Sequence, residues 1–420
     1  MVDSLLAISV MGGVFLGICS GLAPGLHTNN FAALLLALSP AFLDLGLCPF
    51  DLAAAILAAS IAHTFLDIVP SIFIGAPDAE TALAVLPGHE MMLDGRGIEA
   101  VRLSALGSAS SVIVALVLIV PLSLLFSSFY DPFMSHIGLI LLSIAAIMIL
   151  TERGRVIEGQ GSLVHLKYKF FALALFLTSG YLGLFAFGHQ DLALSPLGFQ
   201  TEVLLPLLSG LFGASMLLIS LASKAEIPAQ RETEFDLPAR TIARSAFLGG
   251  VAGSVVAWVP GVTPAVATVV TRLGSEGSDR EFLVSVSGVN TANSLFTLVA
   301  LLVVGRPRSG AAVAIEELVD LDGRLLLVMV TIVLGASILS YFATLRAGRF
   351  AAKVVRNLNY RRLCIATLAF LTAMTFGFTG PFGLFLYFVS TVVGLVAPFA
   401  GIRKTHAMGV LMLPLLAIYL

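Results

Sequence analysis

Two Pro-Gly pairs, Pro24-Gly25 and Pro260-Gly261, interrupt apolar stretches, and polar residues crowd just after them. His27, Thr28, Asn29 and Asn30 follow the first pair, and Thr263 follows the second. Proline has no amide hydrogen and glycine accepts unusual dihedrals, so each pair predicts a helix end with exposed backbone. The arm that follows starts at the break, with its free N–H groups and positive dipole end at the tip. Two such N-termini facing each other favour an anion by about 0.3–1 kcal/mol each. A later apolar stretch carries Ser285, Ser287, Gly288, Asn290, Thr291, Asn293, Ser294 and Thr297. Together with the residues at the breaks, Asn290, Thr291 and Asn293 form the candidate substrate site; the competing use of such groups is to join neighbouring helices.

The matching stretch of the first half carries His63, Thr64 and Asp67. His63 and Asp67 are four residues apart and share a helix face. An aspartate in the bilayer costs about 2.5–3.5 kcal/mol on insertion scales and usually lines a pathway or pairs. Asp67 stands about 10 Å of helix from Ile74. Two kinds of role stay open for the His63–Asp67 pair: coupling to H+ or Na+, and a structural one as a permanent ion pair or a hydrogen-bonded anchor beside Pro70. No cofactor or metal is implied. No Gly-Lys dipeptide occurs, so there is no phosphate loop, and His89-Glu90 lacks the second histidine of a zinc-protease helix. Cys19, Cys48 and Cys364 have no metal or disulfide spacing and read as small apolar filler.

Positioning these groups falls to a chain built for lipid. Of 420 residues, 58% are hydrophobic and 11% charged, whereas a soluble domain carries roughly a quarter charged residues. With a net charge of −2, no basic excess points to a nucleic-acid partner. The expectation is one integral membrane domain over 1–420, all-α and polytopic. Apolar spans long enough for the roughly 20 residues a bilayer needs run at about 50–74, 101–128, 132–151, 168–188, 200–222, 282–305 and 325–345, and shorter ones at about 363–378, 383–398 and 405–420. That makes about ten transmembrane helices. Regions 4–43 and 245–273 differ, because past the break each continues for only about 18–21 Å, short of a core of about 30 Å. They are expected to be re-entrant helical hairpins. The N-terminus lacks the basic region of a signal peptide and is expected to be retained.

Cytoplasmic loops collect Lys and Arg. With both hairpins returning to the side they enter and both termini outside, 20 of the 23 basic residues fall inside; if the second region crossed, 15 would. Five spans separate the hairpins, an odd number, so the hairpins enter from opposite faces. GVFLGICSGLAPG, ending at Gly25, resembles GGVAGSVVAWVPG, ending at Gly261, at an offset of 236. Gly75-Ala76-Pro77 resembles Gly305-Arg306-Pro307 at an offset of 230. The reading is an inverted-topology repeat, 1–199 and 200–420.

Inverted repeats with broken helices mark secondary transporters, whose half-sites meet near the midplane. The expected function is a plasma-membrane permease for a small organic anion, a di- or tricarboxylate, working by alternating access with ion coupling. The alternative is a translocase moving a polyprenyl phosphate between leaflets, since paired anion-attracting hairpins with apolar walls suit either cargo. An intramembrane enzyme is disfavoured because His63 and Asp67 have no identifiable nucleophile beside them. Two loops add charge: 75–102, an acidic and basic stretch expected on the inner face, and 305–310, where Arg306 and Arg308 either attract an anion or sit in a solvated turn. The cluster from Arg346 to Arg362 is expected to contact anionic membrane lipids.

At GLAPGLHTNN (21–30), AHTFLDIVPSIFIGAPD (62–78), VLPGHEMMLDGRGIEA (85–100), SGVNTANSLF and GRPRSGAAVAI, the sequence resembles the large permease subunit of tripartite tricarboxylate transporters, most closely the compact archaeal branch. The resemblance implies cation-coupled carboxylate uptake together with a small membrane subunit and an extracytoplasmic binding protein.

Overall fold

The computed structural model describes the chain except residues 1–3, 24–27, 29–31, 33–34, 37, 76–84, 153, 155–161, 197, 199–202, 224–227, 233–236, 260–263, 265–266, 269–270, 272–278, 306 and 357. The described residues are helical and loop, with no strand among them. Eight helices among the described residues are long and apolar enough to cross a membrane. The spans expected at 363–378 and 383–398 are the two arms of one broken helix. Those expected at 132–151 and 405–420 are represented by shorter apolar helices, Ile137–Leu150 and Lys404–Tyr419.

The first half opens with α1 (Ser4–Leu22), α2 (Pro49–Leu66), α3 (Ile68–Ile74), α4 (Val85–Leu93) and α5 (Gly97–Ser135). Its outer members are α6 (Ile137–Leu150), α7 (Ser162–Gly188) and α8 (Leu204–Ala222). The second half opens with α9 (Ala239–Val256), α10 (Asp279–Val304), α11 (Gly310–Leu318) and α12 (Gly323–Arg356), and closes with α13 (Tyr360–Ala400) and α14 (Gly409–Tyr419).

Glycines set the closest helix pairs. A Cβ at Gly13 would collide with the Ala55 carbonyl oxygen and one at Gly17 with that of Ala59, so α1 and α2 run parallel in near backbone contact. In the second half, Gly249 meets the Ser285 carbonyl and Gly253 that of Val289, so α9 and α10 are parallel in the same way. The glycines correspond at an offset of 236 and their partners at 230, the two offsets at which the sequence pieces repeat.

The halves also interlock. The first-half helix α5 packs along α10, and the second-half helices α11 and α12 pack on α2. These helices form one bundle with α1, α3, α4 and α9, while α6, α7, α8, α13 and α14 pack mainly on one another as a second bundle. Between the two, the His89 ring of α4 receives a hydrogen bond from Tyr360 of α13 at 2.7 Å.

The second bundle holds its own irregularities. Gly380 breaks α13 at φ 63°, ψ −156°, a region essentially closed to other residues. A side chain there would also strike the Leu194 carbonyl oxygen. Ser209–Ala214 of α8 is a π-helix, and the Lys404 ammonium donates to its Phe212 carbonyl oxygen at 3.2 Å and to Ser215 Oγ at 2.7 Å. Lys404, one of the basic residues counted on the inner side, is buried. Glu152 takes hydrogen bonds from the Arg403 Nε at 3.0 Å and from His406 Nε2 at 2.6 Å, tying the end of α6 to the turn before α14. The cysteines divide: Cys364 is buried filler as expected, whereas Cys19 and Cys48 are exposed.

Candidate functional site

Pro70 cannot donate to the Leu66 carbonyl, which breaks the helix between α2 and α3 at Asp67. The break is knitted by side chains: Ser71 Oγ donates to the Asp67 carbonyl oxygen at 2.9 Å, and Thr344 Oγ1 of α12 donates to that of Phe65 at 3.1 Å. Asp67 is thereby held inside the protein at 2% exposure.

Opposite it stands α10. The Asn290 amide nitrogen donates to Asp67 Oδ2 at 2.8 Å, and the Thr64 and Thr291 hydroxyls lie 3.2 Å apart. Asn290 is eleven residues into a 26-residue helix, about 16 Å along it by helix rise, so the contact lies near mid-depth. Asn290 Oδ1 is buried with no hydrogen-bond partner among the described residues. A buried amide oxygen left this way costs free energy and is a ready acceptor for a cation or a proton donor.

His63 sits one turn before Asp67 and faces α1. Ser20 Oγ donates to the Gly17 carbonyl oxygen at 3.1 Å, so His63 Nδ1, 3.0 Å from Ser20 Oγ, is the donor in that pair. For the neutral ring this fixes the tautomer and makes Nε2 the acceptor nitrogen. Ser20, Thr28, Ser60 and His63 line one small crevice between the first Pro-Gly region and α2.

The structure therefore brings together His63, Thr64, Asp67, Asn290 and Thr291, with Thr28 on the crevice beside His63 and Asn293 one turn further along α10, 7% exposed. Pro24, Gly25, His27, Asn29, Asn30, Pro260, Gly261 and Thr263 lie outside the described residues. Trp258, just before the second break, stacks on Phe126 at 4.5 Å between ring centroids. Ser287 of the polar stretch serves packing, donating to Ser104 at 2.7 Å across α5 and α10. Ser20 and Thr344 were not singled out from sequence; mid-span hydroxyls three residues from a glycine or facing a proline break are the signal that would find them.

The two charged loops are more structural than expected. His89 is fully buried; its Nδ1 lies 2.8 Å from the Ile72 carbonyl, which can only accept, so Nδ1–H donates and Nε2 takes the Tyr360 hydroxyl proton. Burial holds the His89 pKa below its ordinary value, against the opposing effect of the Ile72 bond. Glu99, also buried, pairs with Arg280 at 2.6 Å. Arg308 rests over the Tyr130 ring and donates to its hydroxyl; Arg306 lies outside the described residues.

A family model described as tripartite tricarboxylate transporter TctA family matches residues 7–409. An uncharacterized protein of Methanocaldococcus jannaschii is 26% identical over 423 residues, covering 97% of each chain. No solved structure matches.

Proposed function

Because the chain belongs to the tripartite tricarboxylate transporter TctA family, we propose that it is a permease carrying a small organic anion, a di- or tricarboxylate, by alternating access coupled to H+ or Na+. It is a multi-pass membrane protein of a transporter family, not an enzyme. The observation that carries the mechanistic part is the buried Asp67–Asn290 contact between the two halves. A carboxylate at membrane depth marks an ion or proton pathway by default. Asp67 can hold a proton or a sodium ion, and Asn290 Oδ1 adds a neutral oxygen for the same ion. His63, in reach of the same helix face, is the second coupling group.

The cargo is read from the Pro-Gly regions, whose helix N-termini would meet carboxylate oxygens with free N–H groups. Thr28, Thr291 and Asn293 would add uncharged hydrogen bonds, as the sequence expects also of Asn29, Asn30 and Thr263. Support for inverted hairpin repeats comes from the parallel pairs α1–α2 and α9–α10, which match residue by residue at the two repeat offsets. The antiparallel relation expected of inverted halves is consistent with Thr64 meeting Thr291 while Asp67, three residues later, meets Asn290. In the plasma membrane, with both termini outside, the permease would receive cargo from an extracytoplasmic binding protein and act with a small membrane subunit. A lipid-carrier translocase finds no support in the family match.

The test is uptake of labelled di- and tricarboxylates into proteoliposomes under imposed proton or sodium gradients. Gradient-dependent accumulation of one carboxylate is expected. Absence of any such uptake, with binding of a polyprenyl phosphate, would overturn the reading.

A further inference from the structure

Where the second Pro-Gly region meets the outer bundle, the helices do not close. A cavity of about 370 Å³ opens between α6 and α9, lined by Ile140, Ile144, Phe247, Val251 and Val255, with Val259 near the break. Ile140 and Phe247, at 39% and 55% exposure, carry its lining onto the outward apolar surface of the two helices, the surface that faces bilayer in a membrane-spanning chain.

Four occupants compete, and size and polarity decide among them. Water does not fill an apolar cavity, and here Thr271 is the polar side chain of the lining. A transmembrane helix of a partner, about 10 Å wide and 30 Å long, is too bulky to enter a crevice between two helices of this fold. A lipid headgroup needs a counter-charge, because a buried unpaired charge is very costly, and among the described residues no charged one lines the cavity. A single acyl chain is slim, apolar and present at high concentration at the opening. We propose that this crevice is a binding site for one lipid acyl chain, independent of headgroup. Lodged against Val255 and Val259, the chain fills the space between α6 and the arm leading to Pro260, and so wedges that arm apart from the outer bundle.

The protein carries its own reporter. Trp258 is the single tryptophan, is fully buried, and is flanked in sequence by Val256 and Val259, which both line the crevice. The full chain is reconstituted in phosphatidylcholine vesicles with rising fractions of lipid brominated on the acyl chain, and Trp258 fluorescence is read. Loss of fluorescence that saturates as a single site, equally with brominated phosphatidylglycerol, is expected. Ala252→Phe, which fills the crevice, should abolish the loss, while Val117→Phe on the lipid-facing side of α5, where Val117 is 71% exposed, should keep it. Unquenched wild-type protein overturns the proposal, as does quenching that follows bulk lipid fraction without saturating or depends on the headgroup. Undiminished quenching in a folded Ala252→Phe variant also overturns it. The saturation curve decides the matter in wild-type protein should Ala252→Phe fail to fold.

Discussion

The side-chain amide of Asn290 donates to the carboxylate of Asp67 at 2.8 Å, joining residues 223 positions apart in the chain. One belongs to the first half and the other to the second, and both lie in helices more than four-fifths buried. A contact of this kind can report movement of one half against the other, because a change in Asp67 charge alters the strength of the hydrogen bond that spans them.

Replacing the partner tests the electrostatics. Asn290→Asp places two carboxylates side by side, and like charges at that distance cannot both ionise. Transport by this variant is expected to survive only at low pH, where one proton is shared. The exchange Asp67→Asn with Asn290→Asp should recover activity at neutral pH. A pH profile of uptake for the three proteins measures both effects; an unchanged profile in Asn290→Asp would remove the contact from the mechanism.

The glycine contacts make a paired prediction. Gly17→Ala and Gly253→Ala each drive a methyl group into a carbonyl of the parallel helix, and overpacking of this kind costs about 1–3 kcal/mol. Gly335 has open space around its Cα, so Gly335→Ala should instead stabilise by roughly 0.5–1 kcal/mol through helix propensity. Thermal unfolding midpoints in detergent are expected to fall for the first two by similar amounts and rise for the third.

Asp67 and the polar run of α10 were legible in the sequence because ionisable and amide groups stand out against a chain that is 58% hydrophobic. Their meeting was not, since helical periodicity gives a face and not the partner across from it. The parallel glycine pairs were half legible: Gly17 over Gly253 came from the repeat, but the carbonyls they touch needed the fold. The burial of Lys404 was hidden for a different reason. Counting charges in a loop says nothing of depth, and the short helices α6 and α14 draw Glu152, Lys404 and His406 inside. His89 and Glu99 were hidden likewise, in a stretch whose charge suggested solvent.

At Gly380 the backbone itself is the constraint. Gly380→Ala is expected to cost about 1–3 kcal/mol in strain, before the collision with Leu194. The variant should show a lower unfolding midpoint and a loosened contact between Ser195 and the Gly377 carbonyl, now 2.8 Å, seen as faster hydrogen exchange at 377–381.

Acid should unlatch His89. Its folded pKa lies below the unfolded value near 6.5, so the neutral ring contributes its full stability above that pH. The contribution is lost as pH falls through the folded pKa, because the unfolded chain takes up a proton that the folded one excludes. Wild-type protein is expected to lose stability below about pH 6.5, and His89→Gln, which cannot titrate, to start less stable and lose less over the same range. Parallel slopes for the two proteins would assign the acid sensitivity elsewhere.

The coupling role of Asp67 is tested most directly by comparing two transport modes in Asp67→Asn proteoliposomes. Gradient-driven accumulation of the carboxylate should disappear, while exchange of internal for external carboxylate continues. Accumulation at the wild-type level in that variant would contradict the account and leave Asp67 as an anchor of the broken helix.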